Sequence, residues 1–481
     1  MWRKKDNLEM RIPHTIPRNV FEAYRCSYET TRLSSELERT IRSEDVSWVE
    51  GRVPPLRILA TYVIASSWKD NPVLEELPTC EDRNRLIEIL PTDLPFELAI
   101  TRIDDEHYWE RCSKARWEVN DLSEHGNSWR QRYCEGLLWE YLEGLEPTFF
   151  ETQKEECEKM LKLVQNYVDS LRIGSLLPTK KVEKSLDNGD PCLAEEDIVH
   201  HVPMAVILSQ LPLLVEIRIV FGVVYMNDNF EWRDFEFSIE DCIGLGEGIK
   251  ACSNLKKFTL SRSNMNQPRV AALLQGAVEN ENIEEMDFSH CKLSDKGAHA
   301  VGEFLSMHKG LKVLHLANND IGPDGVAGVV YGLLKADGSV LKHLDLRLNP
   351  LLDSGMVHVC AYVLRTSSLE MLNVSGCGIK ADGAAALAEV LQSGCVKLKT
   401  LILDVSNNDF GEAVGEIFEA ALNSASFIVH LDARMCNFSS RSELSIYESV
   451  ARHKEEQRRE KAKTMLDRLS STHTLPTYTY R

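Results

Sequence analysis

The chain has 481 residues, a formal net charge of −19 and an apolar fraction of 43%. This length is enough for two or three domains, and the negative charge argues against a general nucleic-acid binder. Thirteen cysteines are scattered without a CxxC pair, which disfavours disulfide scaffolds and zinc ribbons and favours a reducing intracellular compartment. The opening MWRKKDNLEM is followed by no apolar core, so we expect no secretory signal.

The N-terminal part contains no repeat. Residues 1–55 mix Pro, Arg and acidic residues and predict an extended arm, and residues 56–177 carry a helical pattern. Tryptophans spread along a helical segment usually form the core of a small domain; here they are Trp68, Trp109, Trp117, Trp129 and Trp139. Residues 178–203 are polar with Pro and Gly and predict a linker or loop.

Residues 204–226 are the most apolar stretch of the chain. They contain Glu216 and Arg218, so a membrane span is not expected. The pattern predicts a short helix followed by a strand, LVEIRI, which would be an irregular extra repeat ahead of a long insertion.

A nine-residue pattern then recurs seven times between Leu255 and Phe438. It reads apolar, two variable, apolar, one variable, apolar, two variable, polar, with copies such as LKVLHLANN from Leu311, and the starts lie 28, 28, 30, 28, 29 and 30 residues apart. This period and pattern are typical of a leucine-rich repeat solenoid. We therefore predict an α/β fold with a ribonuclease-inhibitor-like solenoid of seven to eight repeats over residues 204–450, preceded by the α-helical domain.

The polar residue that ends each copy lies where the chain leaves the sheet. Its side chain is expected to satisfy buried backbone groups of that turn, because an unpaired group there is costly. We call these positions the ladder: Ser263, Cys291, Asn319, Asn349, Cys377, Asn408 and Cys436. The sixth copy, LKTLILDVSNNDF, fits two registers, with Ser406 or Asn408 on the ladder. The second register, which pairs Leu403 with Val405 and needs a two-residue bulge near Lys399, is favoured.

Helical segments follow the strands. Small and apolar residues recur at helical spacing in segments such as GAHAVGEFL and GAAALAEVL, which predicts closely packed convex helices. Helix starts are predicted at polar or Pro positions: Asp295, Pro323, Asp353 and Asp382. The glycines of GLGEGIK, residues 244–250, do not have dinucleotide-fingerprint spacing. Glycine pairs such as Gly325 and Gly328 are interpreted as packing residues and not as a phosphate loop.

Residues between the apolar strand positions point to the concave face and are the candidate partner-binding residues. The first column is Thr259, Asp287, His315, Asp345, Asn373 and Asp432, and the second column includes Arg347 and Arg434. This mixed, mainly polar surface suits a protein partner better than a phosphate backbone. A concave face that is only solvated is the alternative.

Residues 451–481 predict a helix and an extended tail. The segment 451–468 carries seven Lys or Arg and four acidic residues, consistent with a solvated helix stabilised by i,i+4 pairs. The alternative is a helix that lies on an acidic partner.

Catalytic chemistry is not indicated. GxxxxGK[ST], HExxH and GxSxG motifs are absent from the sequence, so we predict no enzyme activity and no catalytic, metal or cofactor site. Asp104, Asp105 and Glu106 are interpreted as a helix cap or as partners of Arg111 or Arg116. His200 and His201 have no spaced co-ligands.

Three segments resemble the dynein regulatory complex subunit 5 family, also called T-complex-associated testis-expressed protein 1. They are DLPFELAITRIDDEHYWERCSKARW (93–117), GNSWRQRYCEGLLWEYLE (126–143) and FEWRDFEFSIEDCIGLGEGIKACSNLKKFTLSRS (230–263), within a resemblance over about residues 56–455. It implies a non-catalytic scaffold of the nexin–dynein regulatory complex, located in the cytoplasm, the cytoskeleton and the axoneme of cilia or flagella. The implied partners are other subunits, including another leucine-rich-repeat subunit, and indirectly doublet microtubules or dynein arms. Neither nucleic acid nor membrane is implied.

Two alternatives stay open. Leu90-Pro91 followed by an apolar helix is similar to an F-box, which would make the chain a ubiquitin-ligase substrate adaptor. A GTPase-activating role is the third hypothesis, because activators of a small GTPase share this repeat class, and Arg347 would then be a candidate.

Overall fold

The computed structural model describes residues 55–123, 125–178, 200–223, 235–336 and 338–471. Most of the predicted arm and linker, the Phe-Glu-Trp insertion and the tail lie outside these residues. The chain divides into two compact units, Met1–Ile89 and Leu90–Arg481. This boundary lies inside the segment predicted as one helical domain.

The described part of the first unit contains helices α1 (Leu56–Ser67) and α2 (Cys80–Ile89). Trp68 is fully buried, and its indole N–H donates to the carbonyl of Val73 at 3.0 Å. Asp82 accepts hydrogen bonds from Arg57 and Thr79, which ties the two helices together.

The second unit begins with four helices and one 3₁₀ turn: α3 (Phe96–Arg102), α4 (Glu106–Arg116), α5 (Trp129–Gly144), Pro147–Phe149 and α6 (Phe150–Val164). An aromatic cluster joins α4 to α5, because Tyr133 packs against Trp109 and Trp117 with ring centroids 5.2 and 5.4 Å apart. Trp109 is buried in this cluster and Trp117 is half-buried, whereas Trp68 belongs to the first unit.

One parallel sheet of nine strands runs through the rest of the second unit, in chain order. The strands are β1 (Ser170–Leu176), β2 (Glu216–Phe221), β3 (Lys257–Leu260), β4 (Glu285–Asp287), β5 (Val313–His315), β6 (His343–Asp345), β7 (Met371–Asn373), β8 (Leu401–Asp404) and β9 (Ile428–Asp432). The leucine-rich repeat fold and the strand predicted in LVEIRI are confirmed. The helical pattern assigned to residues up to 177 is wrong at its end, because β1 pairs with β2 over Ser170–Leu176.

Helices cover the other side of the sheet: α7 (Met204–Leu208), α8 (Ile239–Ala251), α9 (Gln267–Ala277), α10 (Ser294–Met307), α11 (Pro323–Lys335), α12 (Leu352–Arg365), α13 (Ala381–Gln392) and α14 (Glu412–Ser424). Glycines let neighbouring helices touch. A Cβ on Gly246, in GLGEGIK, would lie 2.8 Å from the carbonyl of Leu273, and one on Gly332 would lie 2.0 Å from that of Gly302. A Cβ on Gly328 would lie 2.4 Å from His299 Nδ1 of the neighbouring helix, which agrees with the packing interpretation of Gly325 and Gly328.

The sixth copy adopts the favoured register. Leu403 pairs with Leu372 of β7, and the amide of Asn408 occupies the ladder. The irregularity falls between Leu401 and Ile402 at the β8–β9 pairing, two residues beyond the predicted bulge at Lys399. This register adds Asp404 to the first concave column.

Helix α15 (Ser440–Ser471) closes the C-terminal end of the solenoid and begins eleven residues earlier than residue 451, its predicted start. His453 is buried, and its ring Nδ1 lies 3.2 Å from the carbonyl of Ile428 in β9. Beyond Gln457 the described side chains, up to Met465, are exposed. An i,i+4 pair joins Arg459 to Glu455 at 3.1 Å, as expected for a solvated helix.

Helix α5 covers the other end of the sheet. Glu143 Oε1 accepts hydrogen bonds from the backbone N–H groups of Gly174 and Ser175, at 2.8 and 3.0 Å. Glu135 does the same for Asp169 and Ser170 at 3.1 and 2.9 Å. Two carboxylates on one helix therefore satisfy backbone N–H groups at the edge strand. Without such partners, the backbone groups of an exposed edge strand can pair with a strand of another chain.

Among the described helices, none is both long and apolar enough to cross a membrane. The eleven cysteines in the described residues are all free thiols.

Candidate binding surface on the concave face

The concave face is the side of the sheet that points away from the helices. Its first column is aligned residue by residue across all nine strands: Arg172, Arg218, Thr259, Asp287, His315, Asp345, Asn373, Asp404 and Asp432. The structure thus brings the predicted first-column residues into one continuous row. Sequence reasoning missed Arg172 and Arg218, because β1 was not recognised and β2 was not aligned with the other copies.

All five acidic and amide residues in this row stabilise the turn that follows their strand. A side-chain oxygen of each accepts a hydrogen bond from the backbone N–H two residues later, as in an Asx turn. The acceptor–donor pairs are Asp287 with Ser289, Asp345 with Arg347, Asn373 with Ser375, Asp404 with Ser406, and Asp432 with Arg434, at 2.8–3.1 Å. One oxygen of each aspartate is thereby occupied, while the charge stays on the concave face.

Asp345 is the centre of a charged group on β5 and β6. Its Oδ2 lies 3.4 Å from His315 Nδ1 and 3.4 Å from Arg347 Nε. The hydrogen bond to Asp345 raises the pKa of His315 above its usual 6.5, and the nearby charges of Asp287 and Glu285 act in the same direction. The two partners leave Asp345 buried, although Arg347 is exposed.

A second ion pair lies on β9. Arg434 Nε donates to both carboxylate oxygens of Asp432, at 2.9 and 3.1 Å. This interaction lowers the pKa of the Asp432 carboxyl, mainly through the hydrogen bond. Asp345 with Arg347 and Asp432 with Arg434 are thus two ion pairs, each formed within a single repeat.

The ladder lies just behind this surface, and its side chains are buried. Asn349 Oδ1 accepts from the N–H groups of Asn319 and Ile321, and its Nδ2 donates to the carbonyls of Leu316 and Leu346, all at 2.8–3.1 Å. Asn408 makes the equivalent contacts two repeats later. Ser263 Oγ accepts from the N–H of Phe221 at 3.1 Å. The polar residues that end the repeats therefore hold the turns together.

The ladder cysteines act as hydrogen-bond donors. The thiols of Cys291, Cys377 and Cys436 donate to the carbonyls of Leu260, Leu346 and Val405 of the preceding repeat at 3.0–3.2 Å. Burial raises the pKa of Cys291 and Cys377 to about 12 and that of Cys436 to about 11. The raised pKa favours the protonated thiol at neutral pH, which is the form that donates these hydrogen bonds.

Helix α11 begins at Pro323, as predicted, and the other three predicted starts need a correction. Helices α10, α12 and α13 begin at Ser294, Leu352 and Ala381, one residue before Asp295, Asp353 and Asp382. The carboxylate of Asp295 accepts from the N–H groups of Gly322 and Gly325, at the start of α11. Asp353 repeats the contact with Lys380 and Gly383, at the start of α13. These aspartates cap the helix of the next repeat, a relationship that sequence reasoning missed.

The remaining candidate groups are engaged within the fold. Asp104 pairs with Arg130, rather than with Arg111 or Arg116, and Asp105 caps α4 through the N–H of Tyr108. His201 is buried, with Nδ1 3.0 Å from Asp241 Oδ2. The described residues contain no group of three or more His, Cys, Asp or Glu side chains placed to hold a metal ion.

A family model described as "Leucine Rich repeat" matches residues 279–302, 311–330 and 367–388. These stretches coincide with strands and helices of the observed sheet repeats. The nine strands and their helices within residues 170–178, 200–223, 235–336 and 338–436 form a leucine-rich repeat solenoid. Part of it is also 26% identical over 166 residues to ribonuclease inhibitor of Sus scrofa, which covers 34% of this chain and 36% of that protein.

The chain is also similar to proteins named dynein regulatory complex subunit 5. It is 33% identical over 275 residues to the protein of that name from Mus musculus, covering 55% of this chain and 54% of the relative. The protein of the same name from Chlamydomonas reinhardtii is 27% identical over 218 residues, covering 45% and 50%. The chain therefore spans about half the length of the relatives it matches, and the matched length is shorter than the 56–455 span indicated by the motifs.

Proposed function

We propose that this protein is a non-catalytic structural and regulatory subunit of a nexin–dynein regulatory complex. In this role it is a protein-interaction scaffold in the axoneme of motile cilia or flagella, helping to link outer doublets and to regulate dynein-driven sliding. The similarity to dynein regulatory complex subunit 5 from an animal and from an alga carries this proposal.

The distribution of polar side chains supports a binding role over a catalytic one. The ladder thiols are protonated and hydrogen-bonded to carbonyls, and the ladder amides satisfy backbone groups. Five side chains of the first concave column form Asx turns. Among the described residues, the candidate groups for chemistry are thus committed to holding the repeats in register.

The concave face is the partner surface in this proposal. Its candidate contact residues are Thr259, Asp287, His315, Asp345, Arg347, Asn373, Asp432 and Arg434, joined by Arg172, Arg218 and Asp404. A parallel sheet of this length offers a wide, pre-formed surface, so a partner would bind without a large ordering cost in this chain. Other regulatory-complex subunits are the proposed partners, with microtubules and dynein arms contacted indirectly.

The distal part of α15 is a second proposed contact. The side chains of Arg458, Arg459, Lys461 and Lys463 are exposed beyond the last repeat. Surface charge of this kind steers association and depends on ionic strength. An acidic protein surface would therefore suit this helix.

The test is fractionation followed by crosslinking in ciliated cells that express the tagged full chain. We expect the chain to stay with detergent-washed axonemes and to be released by high salt together with regulatory-complex subunits. Crosslinks from the exposed Lys256 and Lys380 to those subunits would support the scaffold role. A chain found only in the soluble fraction with ubiquitin-ligase components would overturn the proposal in favour of the F-box-like alternative.

A further inference from the structure

Charge on the concave face is divided between its two ends. The outward positions of the first three strands carry three basic residues, Arg172, Arg218 and Lys257, and one acidic residue, Glu216. A fourth basic residue, the exposed Arg262, follows two residues after the end of β3. Glu216 is shared by two of them, at 3.2 Å from Arg172 and 2.7 Å from Arg218. This end of the face therefore carries an excess of positive charge in a chain whose net charge is −19.

The opposite sign prevails from β4 to β9. The outward positions there carry five acidic residues: Glu285, Asp287, Asp345, Asp404 and Asp432. Arg347 and Arg434 pair with Asp345 and Asp432 within these rows. Lys257 of β3 reaches Glu285 of β4 at 3.1 Å, so this ion pair marks the boundary between the two ends. With Arg262 included, the basic end has an excess of three positive charges and the acidic end an excess of three negative charges. These positions are therefore close to neutral in sum, and the sign of the excess charge changes between β3 and β4.

The dimensions of this face match one helix. Strands β4 to β7 are three residues long, which is about 10 Å and close to the diameter of an α-helix with its side chains. Neighbouring strands are about 4.8 Å apart, so the middle of the basic end and the middle of the acidic end are separated by about 20–25 Å. A helix covers that distance in about 15 residues.

We propose that the concave face binds one charged α-helix of a protein partner in a single direction. The acidic half of that helix lies over β1–β3 and its basic half lies over β4–β9. The reverse orientation places like charges against each other at both ends, which electrostatic complementarity disfavours strongly. The solenoid thus sets the direction of its partner as well as holding it.

This inference rests on the proposed role of the concave face and adds the chemistry of the occupant. The probes are two synthetic helical peptides of about 24 residues, or about 36 Å, with identical composition. One carries its Glu residues in one half and its Lys residues in the other, and its isomer interleaves them. Binding to the full chain is measured by fluorescence anisotropy at low and at physiological salt, after circular dichroism has established equal helicity.

We expect the block peptide to bind at least about tenfold more tightly than the interleaved isomer at low salt, with the difference shrinking as salt screens the charges. A benzophenone placed at the acidic end should crosslink to β1–β3. Equal affinities, or adducts of the acidic end on β7–β9, would overturn the inference.

Variants locate the effect. The triple variant D345N/D404N/D432N removes three charges but keeps the Asx turns, since Asn373 makes the same turn in the native chain. We expect it to weaken the block peptide by about fivefold or more. The matched control, E303Q/E389Q/E416Q, makes the same charge change at exposed helix positions and should stay within about twofold. An equal loss in both variants would contradict a concave site.

The basic end is tested by R218Q/K257Q/R262Q, which should also weaken the block peptide and leave the interleaved isomer unaffected. A chain that joins axonemes but binds both peptides equally overturns the oriented helix while leaving the scaffold role intact. A chain that binds the block peptide in the predicted direction but never enters axonemes overturns the scaffold role while leaving the oriented helix intact.

Discussion

Asp295 and Gly325 are matched across a repeat boundary. The carboxylate Oδ1 of Asp295, in the first turn of α10, accepts a 3.0 Å hydrogen bond from the N–H of Gly325, in the first turn of α11. A Cβ at residue 325 would lie 2.5 Å from that oxygen. The pair Asp353 and Gly383 repeats the geometry, with 3.0 Å and 2.7 Å for the same two distances. Each aspartate caps the next helix, and each glycine leaves room for it.

Replacing Gly325 by alanine should therefore destabilise the solenoid. The added methyl group would displace the capping carboxylate, and we expect a loss of about 1–3 kcal/mol in the free energy of unfolding, measured by urea titration. Gly244→Ala is the control, because a Cβ there meets nothing within 4 Å and alanine favours a helix by about 0.5–1 kcal/mol. Equal effects of the two substitutions would refute the steric argument.

The ladder amides should be among the most sensitive polar residues. Asn349→Ala removes five hydrogen bonds and leaves buried backbone groups unpaired, so we expect a loss of about 3 kcal/mol or more. Asn423→Ala, at an exposed position of α14, should change stability by less than about 0.5 kcal/mol. Matching urea midpoints for the two variants would show that the ladder does not stabilise the fold.

Thiol reactivity should follow burial. Cys80 and Cys395 are exposed, whereas Cys291, Cys377 and Cys436 are buried with a raised pKa. We expect iodoacetamide at pH 7.5 to modify the first two in the native chain and the three ladder thiols only after unfolding, as read by peptide mass spectrometry. Rapid native labelling of a ladder thiol would contradict its role as a buried donor.

The pKa of His315 should depend on Asp345. The hydrogen bond raises this pKa, so its contribution to stability is complete below pH 6.5 and is lost as the pH rises through the folded-state value. Asp345→Asn, which can keep the Asx turn, should lower the pKa of His315 in an NMR titration. Asp432→Asn, which lies four strands from His315, should leave the pKa of His315 unchanged. An unaltered titration in the first variant would reject the coupling.

The edge strand β1 should open when Glu143 is shortened. Glu143→Ala leaves the N–H groups of Gly174 and Ser175 without their acceptor, and we expect faster hydrogen exchange across Ser170–Leu176. Glu143→Gln retains an acceptor oxygen and should keep much of the protection. If both variants exchange like the unmodified chain, the carboxylate is not what holds this edge.

Periodicity alone predicted much of the fold. The recurrence from Leu255 to Phe438 identified β3–β9 and the ladder, because both depend on residues a fixed number of positions apart. Strand β1 escaped recognition because its sequence SLRIGSL is followed by neither a ladder residue nor a regular spacing to β2. Its place in the sheet is set by contacts with α5 and β2, which are distant in sequence.

The concave surface was predicted in part. The outward positions follow from strand alternation. Two different roles explain the residue types there, hydrogen bonding within the turn and the charge of the face, and the sequence of a single repeat does not distinguish them. Asp287 and Asp404 serve their own turns through the N–H two residues later, whereas the opposed charges of Arg218 and Asp404 are recognisable only once nine strands are aligned. Capping by Asp295 was missed because its acceptor contacts lie 27 and 30 residues away.

Incorporation of the full chain into axonemes is the most direct test of the proposed scaffold role. In ciliated cells that lack the endogenous protein, we expect the tagged chain to return to the salt-extractable axonemal fraction and to crosslink to regulatory-complex subunits. We also expect D345N/D404N/D432N to reduce this incorporation and E303Q/E389Q/E416Q to leave it unchanged. A chain that stays soluble, with no crosslinks to those subunits, would contradict the scaffold role.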